Sequence, residues 1–230
     1  MIPRPTFNDG DSASSAAGGY RFAGMPAKKR LPTPRQAEVG MKLAATNAWT
    51  HILCAENVHE AGHIGAASAH LVYAVEEAVK ARVLNKWPDL VKVMTPRQLR
   101  DALYTHPIRH GIAHLDSMPL ALRTEIALWR LDHPGQQVNR PTLTRLFVRH
   151  PEAFPVTWSK NADQDRQRGM HVDWDGRSWK SPDDIKEVHY QRRFGRCLEF
   201  VVRTMALVGI LDEIKDELAE SGWGISQEDR

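Results

Sequence analysis

The chain has 230 residues, of which 42% are hydrophobic and 26% charged, with a formal net charge of +3. That length supports one sizeable core and is short for two, and so small a charge excess identifies no partner, because a nucleic-acid surface depends on where cations cluster. The longest apolar run, around Phe200 to Leu211, is interrupted by Arg203 and falls short of the ~20 residues that cross a bilayer, so no membrane partner is expected.

At the N-terminus, Arg4 is followed by no continuous apolar segment, and the small residues SASSAAGG come after Asp9 and Asp11, which does not read as a secretory leader. Residues 1–35 are rich in Gly, Ala, Ser and Pro, lack periodicity and read as a disordered or flexible arm, with Lys28, Lys29 and Arg30 as a solvated patch. From Gln36 to Glu60, the spacing of Val39, Leu43, Asn47, Trp49, Ile52, Leu53 and Cys54 predicts an amphipathic helix. Gly62 and Gly65 mark a turn. A second helix is expected from Ala66 to Lys86, with Leu71, Ala74, Val75 and Ala78 inward and its end set by Pro88. The two form a helical hairpin. Cys54 and Cys197, far apart in sequence, read as reduced thiols in a cytoplasmic protein.

Thr95 before Pro96 is an N-cap with proline at the first helical position, and Pro107 restarts the chain in the same way. Helices are expected through IRHGIAHLDSM, ALRTEIALWRLD and PTLTRLFVRH. Between Phe154 and Trp179 the helical period is lost and Trp, Asp and Gly accumulate, which predicts an irregular insertion with a small hairpin at Asp175 and Gly176. Ser181, Pro182 and Asp184 form a capping box ahead of a long last helix, striped by Phe194, Leu198, Val201, Met205, Val208, Leu211, Ile214 and Leu218. The fold class is therefore all-α, a bundle over residues 36–222 with a flexible tail at 223–230.

Two kinds of chemistry compete in this pattern. HEAGH, His59 to His63, is a literal H-E-x-x-H, which on a continuous helix would set His59 and His63 on one zinc ion with Glu60 as base. Gly62 and Gly65 place it at a turn instead, where loop or cap histidines are the plainer reading. The second kind is Arg-His spacing: Arg109, His110 and His114 give RHGIAH, but Arg145 to His150 and Arg166 to His171 share the interval, and Arg100 to His106 has one residue more. On the second helix Glu76 and Lys80 could be no more than a surface pair worth ~0.3 kcal/mol, with Glu77 beside them. His70, Tyr73 and Glu77 share a face and suggest a polar network. The aspartates 163, 165, 173 and 175 read as turn residues more readily than as metal ligands, and Trp158, Trp174 and Trp179 as loop anchors more readily than as base-stacking rings.

AHLVYAVEEAVKARVL at 69–84, followed about ninety residues later by RGMHVDWDGRSWKSP at 168–182, resembles the abortive-infection V (AbiV) family of phage-defence proteins, grouped with the HEPN superfamily. Val172, Asp173, Trp179, Ser181 and Pro182 keep the pattern of the second block, and Met170 departs from it. The resemblance spans residues 38 to 215. It implies a HEPN-like helical bundle acting as a metal-independent ribonuclease toxin, with no cofactor and an R-x4-6-H motif that fits Arg109, His110 and His114. Glu76, Glu77, Lys80 and His106 would be supporting polar residues, and Trp179 a residue that pins its loop to the core. Arg and His five apart on a helix diverge by about 140°, so one motif does not enclose a phosphate; two motifs across a homodimer can. The implied partners are RNA (tRNA, mRNA or rRNA) and a phage-encoded activator. A helical module that binds without catalysis, blocking translation or sensing a phage protein, is the alternative, and a zinc hydrolase built on HEAGH is the third.

Overall fold

The computed structural model describes residues 30–134, 136–137, 141–142, 145, 149–150, 153–154, 157–174 and 177–216. Its helices are α1 (Pro34–Glu60), α2 (Ile64–Asn85), α3 (Trp87–Val93), α4 (Pro96–Tyr104), α5 (His106–Asp116), α6 (Leu120–Asp132), α7 (Trp158–Met170) and α8 (Glu187–Leu207). The fold is all-α as expected. Between α7 and α8, strands β1 (Asp173–Trp174) and β2 (Trp179–Lys180) pair antiparallel, while Asp175 and Gly176, where the hairpin turn is expected, lie outside the described residues. The arm expected to be flexible lies outside the described residues up to 29, as do the 223–230 tail and most of the helix expected over PTLTRLFVRH.

α2 is the axis of the bundle. Leu71, Ala74, Val75 and Ala78 are fully buried as predicted, and Ala67, Val72, Val79 and Ala81 are buried as well, so apolar residues lie nearly all round the helix. In its middle, His70, Tyr73, Glu77 and Lys80, at helical spacing, mark an edge that solvent reaches, and Ile64, Ala66, Arg82 and Asn85 are partly exposed toward the two ends.

α1 packs on α2 through a face that keeps Trp49 and Ile52 of the expected stripe but leaves out its N-terminal part. Val39 and Leu43 are 56% and 66% exposed, whereas Ala37, Met41, Ala44, Ala45, Ala48, Trp49, Ile52 and Ala55 are buried. Helix pairs approach through whichever ridges fit closely, and alanines on both partners permit a shorter approach than bulky aliphatic side chains. α1 starts at Pro34 behind Thr33, whose hydroxyl accepts from the Gln36 N–H while the Gln36 side chain accepts from the Thr33 N–H, a complete capping box. Thr95 and Gln98 repeat the arrangement at α4.

The segment expected to be irregular holds α7. Its polar sequence, WSKNADQDRQRGM, masks a narrow buried stripe of Trp158, Ala162 and Gly169. Small residues there allow backbone contact: a Cβ on Gly169 would lie 2.3 Å from the Gly65 carbonyl oxygen, and a Cβ on Gly65 would lie 2.4 Å from that of Pro182. The box at Ser181 and Asp184 caps a short 3-10 turn, Pro182–Asp184, and α8 begins separately at Glu187.

α8 is also shorter than its apolar stripe suggested. Gly209 adopts φ +76°, its N–H donates to Ala206 and that of Ile210 donates to Met205, the paired bonds of a Schellman stop. The chain then turns, and Ile210 and Ile214 return to the core from outside the helix. Leu218 lies beyond the described residues. Among the described residues, no helix is long and apolar enough to cross a membrane.

Replacing a helical glycine by alanine ordinarily stabilises a helix by ~0.5–1 kcal/mol. At Gly65 the added methyl group meets backbone, and overpacking of this kind costs ~1–3 kcal/mol. Gly65→Ala should therefore lower the denaturation midpoint, as read by urea unfolding, and an unchanged or raised midpoint would contradict the close α2 contact.

Candidate active site on α5

Glu76 stands in the middle of α2, flanked in sequence by the fully buried Val75 and, one turn away, Val72 and Val79, and is itself only 2% exposed. A carboxylate so placed requires partners, since an isolated buried charge costs several kcal/mol or more. The partners come from α5. His110 Nε2–H donates to Oε1 at 2.7 Å, and Arg109 Nη2 donates to Oε2 at 3.1 Å. His106 Nδ1 lies 2.8 and 2.7 Å from the two oxygens.

His106, Arg109 and His110 reach one carboxylate because positions three and four apart occupy one side of a helix. Pro107 in the first turn fixes where that helix begins. Burial alone would push the Glu76 carboxyl up; the His110 hydrogen bond and the positive charge of Arg109, with smaller contributions from His106 and His110, outweigh it and hold the group below the ordinary carboxylate range.

The hydrogen-bond inventory assigns the protons. His110 is fully buried and its Nδ1 has no partner, which suits a neutral ring with its proton on Nε2, because a protonated Nδ1 would be an orphaned donor. Arg109 Nη2 also lies 2.8 Å from His106 Nδ1, but a guanidinium can only donate. The ionised carboxylate at 2.7 and 2.8 Å retains the proton on that nitrogen, so His106 donates from Nδ1. Its side chain remains 40% exposed.

His114 lies two turns further on, apart from this cluster. Its Nδ1–H donates to the Phe154 carbonyl at 2.7 Å, Ser117 Oγ donates to the His114 carbonyl at 3.0 Å, and the Phe154 N–H donates to Ser117 Oγ at 2.9 Å. These bonds hold the chain ahead of α7 against α5. Burial pushes the His114 pKa down, partly opposed by the Phe154 carbonyl.

The other sequence candidates separate. Glu76 does not form the surface pair with Lys80, which bonds Glu77 at 2.5 Å instead. Arg166 bonds Asp163 at 2.7 Å and lies over the Tyr73 ring, while His171 is exposed past the end of α7. His150 and Arg149 both approach Glu125, in a small satellite cluster around Leu122. Trp179 is 69% exposed on the hairpin rather than buried in the core as expected. Trp158 does anchor its segment, stacked 4.5 Å from Phe154.

HEAGH lies across the turn between α1 and α2, with its residues engaged in another Schellman stop. Gly62 has φ +85°, its N–H donates to His59, and that of His63 donates to Val58. The continuous helix that would align His59 with His63 is absent at this point. His59 stacks on Tyr190 at 4.2 Å and bonds Glu187 at 2.9 Å. No group of three or more His, Cys, Asp or Glu suited to a metal ion occurs among the described residues.

His70 and Tyr73, expected in a polar network, are joined by His51 of α1, which was not expected there: the Nδ1 atoms of His51 and His70 lie 3.0 Å apart and Tyr73 stacks against His51. One ring must donate and the other accept, so the two rings cannot both carry a proton on Nδ1. Burial lowers both pKa values, joined at His51 by the charge of His70. The unfolded chain then takes up protons first as pH falls below about 6.5, so this pair and His114 make the fold less stable on acidification. Only sites nineteen residues apart on two helices that pack closely could reveal such a pair.

The buried Glu76 of the bundle's central helix is thus bound by an Arg and two His of one neighbouring helix. The HEPN_AbiV family model, described as AbiV, matches residues 36–197. The chain belongs to the AbiV family. The AbiV match covers α1 to α7 and enters α8, and therefore includes every residue of the Glu76 cluster. No curated protein and no solved structure matches the chain.

Removing one partner of a buried charge pair leaves the other uncompensated and costs ~3–5 kcal/mol. Arg109→Ala should therefore lose stability on that scale, read as a large fall in the urea midpoint, whereas Arg97→Ala, whose partner Asp101 lies at 3.9 Å on the surface, should change it by less than ~1 kcal/mol. Equal, small effects would contradict the burial of the Glu76 pair.

Proposed function

We propose that this AbiV protein is an abortive-infection toxin that cleaves RNA without a metal ion, as a homodimer released or triggered by a phage-encoded protein. The observation that supports this best is the gathering of three imidazoles and a guanidinium on one short helix, with a buried carboxylate fixing the orientation of most of them. Cleavage through the 2′-hydroxyl needs a group that takes up a proton near neutral pH and donors that stabilise the phosphate as charge develops on it. The motif assigns proton transfer to His114 and phosphate binding to Arg109, with His110 between them. Tied to Glu76, Arg109 acts as a positioning residue in this state, and a phosphate contact would require it to exchange partners.

A surface suited to pairing two copies lies on the outer side of α5. Ile108 and Leu115 are 45% and 60% exposed, and a Cβ on Gly111 between them would meet no atom within 4 Å. Two such strips related by a twofold axis are self-complementary. The burial of Arg109 also favours a second reading, a helical module that binds its target and blocks translation without catalysis, because the guanidinium expected at the phosphate already has a partner.

The two readings part on one assay. The purified protein, supplied with its trigger or freed of an inhibitor and incubated with cellular RNA in excess chelator, should produce fragments ending in 2′,3′-cyclic phosphate. Growth arrest with intact RNA would reject the nuclease and leave the binding module.

A further inference from the structure

The Glu76 cluster does more than hold α5 in place. Within it, Arg109 and His110 are 5% and 0% exposed, but the His106 side chain keeps 40% of its surface in solvent. Its Nδ1 proton is directed at a buried carboxylate, and the geometry of an imidazole places Nε2 on the opposite edge of the ring, away from Glu76. A carboxylate behind an imidazole fixes the tautomer, orients the ring and stabilises the imidazolium as it forms. His114, by contrast, donates its Nδ1 proton to the Phe154 backbone carbonyl.

We propose that His106, oriented by Glu76, is the catalytic base of this site and takes the 2′-hydroxyl proton in place of His114. This rests on the ribonuclease reading above. In the step, Nε2 of His106 accepts the proton from the 2′-hydroxyl and the freed oxygen forms a bond to the adjacent phosphorus. The bond from phosphorus to the 5′-oxygen breaks, and that oxygen takes a proton from water. The imidazolium returns its proton to the hydroxide left behind. No water is consumed, and the products are a 2′,3′-cyclic phosphate and a 5′-hydroxyl end. Glu76 is a positioning residue in this scheme.

A purely structural His106 would need only its Nδ1 donor, and His106→Asn separates the two roles. The asparagine amide presents an N–H at nearly the position of Nδ1 and carries no proton-transfer group. Cleavage by His106→Asn should fall about 10²- to 10⁴-fold, with helical dichroism and urea midpoint preserved, and the rise of rate with pH attributable to an imidazole should disappear. In His106→Ala, free imidazole in the buffer should restore part of the activity. A His106→Asn variant that stays folded and cleaves like wild type, or one whose pH profile is unchanged, overturns the proposal. So does a His114→Ala protein that alone loses cleavage and the imidazole limb. If wild type cleaves no RNA under the triggered conditions, the ribonuclease reading fails and the proposal with it, an outcome recognised before any variant is compared.

Discussion

A carboxylate removed from water at the centre of a bundle constrains everything packed against it. Glu76 is ionised in the fold, and an ionised group at that depth is tolerable only where donors converge on both its oxygens. α5 supplies them from three of its first five residues, so the identity and spacing of His106, Arg109 and His110 follow from a need on the neighbouring helix. The pair of charges is costly to bury and costly to break, and such networks specify one arrangement of helices rather than adding much net stability. Here the arrangement specified is the seating of α5 on α2.

The surrounding helices make that seating rigid. α2 and α7 approach to backbone contact at Gly65 and Gly169, and the same end of α2 is packed against the turn at Pro182. The bonds among His114, Ser117 and Phe154 tie the end of α5 to the segment leading into α7, and Phe154 in turn stacks on Trp158 and meets Phe200 of α8. α5 is thus fixed at its start by charge and at its end by hydrogen bonds and aromatic packing. That is the degree of preorganisation an acid-base site requires. His106 and His114, at the two ends, are the histidines of α5 that are not fully enclosed.

Much of this was legible in the sequence, and the misses share a cause. The inner face of α2 was readable because Leu71, Val75 and their neighbours are aliphatic and periodic. The inner face of α1 was misread and α7 was overlooked because alanine and glycine do the packing there, and those residues carry almost no hydrophobic signal of their own. Val39 and Leu43 then attracted the wrong assignment on α1. At the site, Arg109 and His110 stood out in RHGIAH and Glu76 in the paired glutamates, but neither the inward turn of Glu76 nor the part of His106 beside it was legible. An acidic residue four before a lysine has a sufficient local explanation on a helix surface. Only Val72, Val75 and Val79 beside Glu76 argue against it, and that argument needs the knowledge that this face of α2 is enclosed. The HEAGH motif shows the converse: Gly62 correctly indicated a turn, because a left-handed residue at a helix end is a local requirement, whereas Gly65 lies inside α2 and admits the Pro182 backbone.

The central claim is that one buried carboxylate sets the protonation of the histidines around it, and the most direct test reads those protons. In nitrogen-15 spectra of histidine-labelled protein near neutral pH, His106 should appear with its proton on Nδ1 and His110 with its proton on Nε2, and Glu76→Gln should disturb both signals. A His106 ring protonated on Nε2 alone, or signals indifferent to the Glu76 substitution, would contradict the account.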